Sequence, residues 1–276
     1  MPTQLPTDDE IIAFCERQRA LGEYSHTLAY PSRNAAIALI KYGGRPFGMM
    51  AEMLNQDFAF NALEGMPQQR RAGIHVPKIY RVIEEGADGV YIVMEYVNGK
   101  TLKELLEEGV SHDQLQEYYN QIAKAIELFL SIKVPDGVTP GPVGGGIIKH
   151  PLFKDTIASI EYNSVDELQQ HVNNVANLPA TNNLKIDFRK EDLCFCFSDL
   201  YEGNFIFTDE RELYVIDFHH AGFLPTSFMT YAFDQPRPVC GAIRDKFVLP
   251  EENLTAMRVA GYNFMIRWRK AGLPLN

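Results

Sequence analysis

Strand-like and helix-like patterns are segregated along this chain, on either side of Asn98–Gly99. Before that pair lie the compact apolar runs typical of buried strands, NAAIALIKYGG, VPKIYRVIEEG and GVYIVMEYV. After it, apolar residues recur at helical spacing in SHDQLQEYYNQIAKAIELFLSIKV. The segregation predicts an α+β fold with two lobes. We expect a small mixed β-sheet lobe over residues 1–97, a hinge at Asn98–Gly99, and a larger, mainly helical lobe over residues 98–276.

Two helices are expected in the first lobe. The segment from Asp8 to Leu21 begins with acidic residues and is followed by Gly22, which suits the end of a helix. The segment after Pro46 is the second, and it has side chains on one helical stripe at Met49, Met53, Gln56, Phe60 and Leu63. Between the last two strands, GADG is a turn signal.

The second lobe is expected to combine helices with a few short strands. Ser111 is suited to cap the helix that follows it, and further helices are predicted over SVDELQQHVNNVANL and from Glu251 to Lys270. The segment LCFCFSDLYEGNFIFTDERELYVIDF predicts three short strands around turns. No G-K-[ST] follows GPVGGG and no strand precedes it, so we interpret it as an irregular loop near a cleft, not a phosphate-binding loop.

Composition limits the partners of the chain. The net charge of −10 argues against nucleic acid or an anionic membrane as partner, because both require a surplus of lysine and arginine. The N-terminus has no basic segment followed by an apolar one, and no apolar run is long enough to span a membrane. The four cysteines lack C-x-x-C spacing, and we interpret them as reduced and structural. We therefore expect a cytoplasmic protein.

Three polar side chains fall at the ends of predicted strands. Asp199 and Asn204 flank the loop DLYEGN, and Asp217 follows the strand LYVI on the far side of a hairpin turned by TDERE. If these strands pair, the three side chains meet at one end of the hairpin. A carboxylate to deprotonate a hydroxyl, together with hard oxygen ligands for Mg²⁺, is what phosphoryl transfer requires. Taken alone, Asp199 and Asn204 favour an ordinary turn over a catalytic loop.

The order of these features resembles the protein-kinase-like fold. A lysine ends the strand ALIKYG, a helix follows, then VMEYVNG as a hinge strand, D-x-x-x-x-N, and the aspartate of IDF. More narrowly, SDLYEGNFIF and YVIDFHHAGFLP resemble the aminoglycoside phosphotransferase-like family, whose pattern is H-G-D-x-x-x-x-N followed by I-D-[FW]-x-x-A-G. VPKIYRV and GPVGGG are similar to features of its fungal members.

The resemblance implies a small-molecule kinase that uses ATP and Mg²⁺ and acts on a hydroxyl acceptor. Asp199 then matches the catalytic base, Asn204 and Asp217 the magnesium ligands, and Lys41 the lysine that binds the ATP phosphates. The adenine-binding hinge matches Met94, Glu95, Tyr96 and Val97.

The chain departs from the family pattern at several positions. Phe197 stands where the pattern has histidine, two residues before the base, and the segment GEYSHTLAYPSRN lacks the glycine-rich phosphate loop. On the second helix, Gln56 has the best register to face Lys41, but it is uncharged. We therefore favour Glu52, one turn earlier, as the ion-pair partner of the lysine. These departures motivate an alternative, a pseudokinase that binds nucleotide or a small ligand without phosphoryl transfer. Different chemistry on the same fold, such as nucleotidyl transfer, is a third hypothesis.

Other polar residues have simpler interpretations. His219 replaces the glycine that can follow the aspartate and phenylalanine, and as neighbours on a strand end His219 and His220 are expected to point in opposite directions, one into the cleft. A set of acidic residues could line a pocket for a cationic acceptor, although a solvated surface is the commoner outcome: Asp234, Asp245, Glu251 and Glu252.

Overall fold

The structure is a computed structural model that describes residues 5–22, 25–44, 48–85, 89–178, 183–266 and 272–273. It begins with helix α1 (Asp8–Ala20), as predicted. Thr7 and Glu10 form a reciprocal capping box at its start, which satisfies backbone N–H groups of the first turn. Within the described ranges, no helix is long and apolar enough to cross a membrane.

Four antiparallel strands form the sheet of the N-terminal lobe, in the order β1 (Thr27–Tyr30), β2 (Ala38–Gly44), β5 (Gly89–Met94) and β4 (Ile79–Glu85). The side chains of β5 alternate between the two faces of the sheet, and both faces are buried. Tyr91 and Val93 pack in one apolar cluster with α1 residues, and Val90, Ile92 and Met94 form a second cluster. The predicted turn GADG falls largely at residues 86–88, outside the described residues.

Helix α2 (Met49–Glu64) confirms the predicted helix but buries a different face. Its buried side chains are those of Glu52, Asn55, Gln56, Ala59 and Leu63. The predicted stripe is therefore confirmed in part: Gln56 and Leu63 are buried, whereas Met49, Met53 and Phe60 are half-buried, so the buried face is rotated by part of a turn. The reason is that Glu52 and Asn55 are buried by specific polar contacts, which a hydrophobic pattern does not register.

The larger lobe is mainly helical. The short helix α3 (Gln68–Arg71) precedes the predicted hinge in the sequence. Ser111 caps its longest helix, as predicted, and Gln114 completes the capping box. The predicted C-terminal helix ends at Ile266 within the described residues. The helices are α4 (Leu102–Glu108), α5 (His112–Leu130), α6 (Val165–Ala176), α7 (Thr226–Phe233), α8 (Pro238–Ile243) and α9 (Leu254–Ile266).

The strands between residues 193 and 225 belong to two small sheets. Strand β8 (Phe205–Phe207) pairs with β9 (Leu213–Val215) as the predicted hairpin, which β3 (Ile74–His75) and β6 (Lys100–Thr101) extend. Strand β7 (Leu193–Phe197) lies outside this hairpin and pairs with β10 (Ala221–Pro225). Asp199 therefore comes two residues after the end of β7, whereas Asn204 and Asp217 lie at the end of the hairpin.

The α+β class with a small sheet lobe and a helical lobe is confirmed. One large apolar cluster fills the helical part, and it also takes in Ala59 and Leu63 from the end of α2 and Ile74 from β3. The first 97 residues therefore contribute to three apolar clusters, the two of the N-terminal sheet and this one. Division of the chain after residue 97 stays a prediction.

Candidate active site

Most of the predicted site residues line one cavity of about 410 Å³. Leu39 and Lys41 enter it from β2, Glu52 and Gln56 from α2, and residues 94–97 form one wall. Asn204 and Asp217 also line the cavity. A larger cavity of about 960 Å³ lies against α6 and includes none of the predicted residues.

Lys41 bridges two carboxylates inside this cavity. Its Nζ lies 2.6 Å from Glu52 Oε1 and 3.3 Å from Asp217 Oδ1. Burial disfavours the ammonium, but the two carboxylates outweigh it, so the pKa of Lys41 is raised. Gln56, the other candidate partner, instead donates from Nε2 to the Pro77 carbonyl oxygen at 2.8 Å.

Asp217 is held in a left-handed backbone conformation, φ 62° and ψ 67°, directly after the hairpin. This region is uncommon for a residue with a side chain and needs support from its surroundings. Asn55 of α2 supplies support, since its Nδ2 donates to the carbonyl oxygens of Phe218 and Ala221 at 3.1 and 2.8 Å. Burial, with repulsion from Glu52, raises the pKa of the Asp217 carboxyl, although Lys41 opposes the shift.

Asp199 and Asn204 are joined by the loop between them. Asn204 Nδ2 donates to the Asp199 carbonyl oxygen at 3.0 Å, and the Ile216 N–H donates to the Asn204 carbonyl oxygen at 3.0 Å. The side chain of Asn204 is buried, and its Oδ1 accepts no hydrogen bond within the described part of the chain. Asn204 and Asp217 thus bring an amide oxygen and a carboxylate to one wall of the cavity. Hard oxygen donors of this kind fit Mg²⁺.

The segment after β5, where the sequence predicts an adenine-binding hinge, lines the cavity. Met94, Glu95, Tyr96 and Val97 line the cavity. The Glu95 N–H is already bonded to the Lys78 carbonyl oxygen at 2.9 Å. Among the described residues, neither the Glu95 carbonyl oxygen nor the Val97 N–H has a hydrogen-bond partner, so both are available to a planar heterocycle.

Phe197 is part of the apolar core. It is 1% exposed and its ring packs against Phe129, Phe205 and Phe218, with the Phe218 centroid at 5.1 Å. The next residue, Ser198, donates twice to the His220 carbonyl oxygen, from its N–H at 3.2 Å and from Oγ at 2.8 Å. The loops of Asp199 and Asp217 are therefore connected without a histidine at position 197.

The expectation that only one of the two histidines faces the cleft was wrong. His219 Nδ1 lies 3.4 Å from Glu52 Oε2, and His220 Nδ1 lies 3.9 Å from Asp199 Oδ2. Residues 218–220 form a 3-10 turn, in which neighbours are not on opposite faces as they are in a strand. Both rings therefore approach carboxylates of the site.

Sequence reasoning missed three cationic side chains. Lys149 Nζ and the His219 ring both lie close to Gly48. Burial lowers the pKa of Lys149, and the carboxylates of Glu52 and Asp217 oppose this shift. Arg237 Nη2 lies 3.5 Å from Asp199 Oδ1. Arg33 lines the cavity from the connection between β1 and β2, where the sequence has no glycine. No local motif marks these residues.

The acidic residues considered for a cationic acceptor have other partners or positions. Asp234 pairs with Arg244 and Arg258, and Arg244 also pairs with Glu251. Asp245 and Glu251 line a separate cavity of about 220 Å³, and Glu252 lies on the exposed surface. None of these carboxylates lines the cavity of Lys41 and Asp217.

Comparisons with known proteins agree with this fold. The chain superimposes on a thermostable mutant of aminoglycoside phosphotransferase APH(4)-Ia, in ternary complex with ADP and hygromycin B, with a TM-score of 0.50 at 11% identity. The alignment covers 91% of this chain and 88% of the other. An AMP-bound spectinomycin phosphotransferase, APH(9)-Ia, aligns with a TM-score of 0.49 at 13% identity, over 90% of this chain and 86% of that one.

Sequence comparison provides the family. A protein of Clostridium acetobutylicum named as a probable serine/threonine-protein kinase is 42% identical over 77 residues, which is 26% of this chain and 11% of that protein. The match spans about a tenth of the length of this curated relative. Residues 61–228 match the phosphotransferase enzyme family, APH. This match covers more than half of the 276 residues, and the chain therefore belongs to the phosphotransferase enzyme family.

Proposed function

We propose that this protein is an ATP- and Mg²⁺-dependent phosphotransferase that acts on a hydroxyl group of a small molecule. The main support is the meeting of Lys41, Glu52 and Asp217 in one cavity that also contains Asn204. Asp199 begins the loop that leads to Asn204, and its carboxylate lies near His220 and Arg237. The set combines a base, oxygen ligands and a phosphate-binding cation.

Asp199 is the proposed base. The acceptor oxygen forms a bond to the γ-phosphorus of ATP as the bond between that phosphorus and the bridging oxygen of ADP breaks. The hydroxyl proton passes to the Asp199 carboxylate, which is 19% exposed and accessible to a small molecule. A base in this role contributes on the order of 10²–10⁴ to the rate.

The nucleotide is held by charge and by backbone groups. Lys41 binds the phosphates, and Glu52 fixes its ammonium at 2.6 Å. Arg33 adds a guanidinium from the connection that lacks glycines. The Glu95 carbonyl oxygen and the Val97 N–H offer one acceptor and one donor to the edge of adenine.

Asn204 and Asp217 are the proposed ligands of magnesium. The carboxylate and the free amide oxygen are the donor types that the ion prefers, and both line the cavity. When bound, Mg²⁺ supplies positive charge that neutralises the transferring phosphate.

Two wider parts of the proposal concern organisation and location. The lobes divide after residue 97, with Asn98–Gly99 as the hinge. All four cysteines are free and buried, which suits the reducing cytoplasm, where ATP is available. Affiliation with the fungal members of the family stays a prediction.

The second candidate function is a pseudokinase that binds nucleotide without transferring phosphate. The connection of β1 to β2 favours it, because residues 31–37 contain no glycine to let backbone N–H groups approach a phosphate. A melting-temperature shift with Mg²⁺ and ATP, but no ADP formed with any hydroxyl compound, is its signature.

Replacement of Asp217 by asparagine tests the first function. We expect Mg²⁺-dependent ADP formation to fall at least about a hundredfold, because the proposed carboxylate ligand is lost. Asp209→Asn, in the turn between β8 and β9, is the matched control and should keep the wild-type rate. Unchanged turnover in Asp217→Asn would refute the proposed role.

A further inference from the structure

Arg237 is placed beside the proposed base with most of its donors unused. It precedes α8, its side chain is 39% exposed, and its guanidinium carbon lies 5.6 Å from the centroid of the Tyr201 ring. The 3.5 Å from Nη2 to Asp199 Oδ1 exceeds the roughly 2.7–2.9 Å of a charge-assisted hydrogen bond. A guanidinium has five N–H donors. Among the described residues, Asp199 is its one ion-pair partner.

The wall around Asp199 has further nitrogen groups. His220 Nδ1 lies 3.9 Å from Asp199 Oδ2, and within the described chain this buried nitrogen makes no hydrogen bond. On the far side of Arg237, the Tyr201 hydroxyl interacts with the ammonium of Lys103. Asp199 is therefore flanked by the guanidinium of Arg237 and the imidazole of His220, in a chain whose net charge is −10.

The neighbouring carboxylates do not provide an anionic pocket here. Glu202 is only 9% exposed, so its carboxylate offers little surface to an acceptor. Asp234 is neutralised by two arginines, with Arg258 Nη2 at 2.5 Å. Among the described residues, Asp199 is thus the one carboxylate in ion-pair contact with Arg237, and a cationic acceptor at Asp199 would lie against that guanidinium.

We infer that the acceptor is a small hydroxylated anion, and that Arg237 selects it by binding a carboxylate or phosphate a few bonds from the reacting hydroxyl. The inference rests on the proposed function, because it assigns the hydroxyl to Asp199. A hydroxyl within hydrogen-bond reach of Asp199 brings its neighbouring substituent beneath the guanidinium. The planar fork of arginine fits both oxyanions in two parallel hydrogen bonds. The bound anion does not react, so the transfer is otherwise as described above.

The experiment compares acids with their neutral counterparts. Glycolate, glycerate and 3-hydroxybutyrate, each beside its carboxamide, and ethanolamine are titrated into the full chain with saturating MgADP, and ligand-observed NMR reports binding. We expect at least one acid to bind at least about tenfold more tightly than its amide, as one charge-assisted hydrogen bond predicts. In Arg237→Gln the advantage of that acid should fall below about threefold.

Two controls allow a negative result to be interpreted. MgADP affinity in Arg237→Gln should equal that of the wild type, which shows that the variant is folded. Arg258→Gln removes a guanidinium that pairs with Asp234 and should keep the preference for the acid.

Equal binding of amides or ethanolamine, an undiminished preference in Arg237→Gln, or no acid binding tighter than about 10 mM overturns the inference. ATP turnover with a neutral or cationic acceptor overturns it too, yet leaves the proposed function standing. Failure of the wild type to bind MgATP is measured without any acceptor and counts against the proposed function alone.

Discussion

His150 should make the stability of this protein depend strongly on pH. The ring is fully buried, with Nε2 3.0 Å from the Phe228 carbonyl oxygen and Nδ1 3.1 Å from the Leu152 nitrogen, whose N–H donates to it. The neutral ring protonated on Nε2 satisfies both contacts, whereas a second proton on Nδ1 would face the Leu152 N–H. Burial, which the Phe228 carbonyl only partly opposes, therefore lowers the pKa of His150 to about 3.

The sign and size of the effect follow from this pKa. In the unfolded chain a histidine titrates near 6.5, so at lower pH the unfolded state binds a proton that the folded state refuses. The contribution to stability is fully present above pH 6.5 and is lost as pH falls toward 3. About 2 kcal/mol is lost by pH 5, and about 4–5 kcal/mol at the acid end.

Urea denaturation at pH 7.5 and pH 5 measures this contribution. His150→Gln is expected to be less stable than the wild type by about 1–3 kcal/mol at pH 7.5, because its amide cannot meet both backbone groups. Between the two pH values it should lose about 2 kcal/mol less than the wild type. His112→Gln, exposed in the first turn of α5, should keep the wild-type loss. Equal losses in the wild type and His150→Gln would refute the reasoning.

Two further variants test the site. Glu52→Gln should reduce the free energy of unfolding by about 1–3 kcal/mol and raise KM for ATP, since it leaves Asp217, at 3.3 Å, as the one carboxylate in ion-pair contact with Lys41 among the described residues. Glu64→Gln removes the charge from an exposed pair and should cost less than about 1 kcal/mol, and equal costs in the two variants contradict the prediction. Phe197→His, which restores the family residue, should cost about 1–3 kcal/mol by burying a polar ring among phenyl groups and should not raise kcat. Phe197→Leu is its apolar control, and a histidine variant more stable than the leucine variant would contradict this.

The parts of the fold that could be predicted are those fixed by neighbours in the sequence. The start of α1 and the cap at Ser111 are written in a few adjacent residues, and both are where the patterns indicated. The buried face of α2 could not be read in this way. Asn55 looks like a surface residue until Phe218 and Ala221, far along the chain, present their carbonyl oxygens to it.

The candidate site divides in the same manner. Asn204 and Asp217 could be placed together because a short hairpin joins them, and Lys41 could be singled out as the charge on an apolar strand. Arg237 approaches Asp199 because α8 packs against α5 and α7, and an isolated arginine before a proline carries no signal of that packing. Its position is a property of tertiary packing.

Phe197 illustrates how a departure from a family pattern can be absorbed by the surrounding packing. A histidine at this position would be expected to brace the loops of the two aspartates, but here the ring of Phe197 packs 5.1 Å from that of Phe218, next to Asp217. The polar half of the brace is moved by one residue, since Ser198 donates twice to the His220 carbonyl oxygen. Because Asn55 also ties the Phe218 carbonyl to α2, the loop of Asp217 is fixed from two sides. Loss of the histidine is therefore a weak argument for loss of activity, and the connection between β1 and β2 is the better place to look for a pseudokinase.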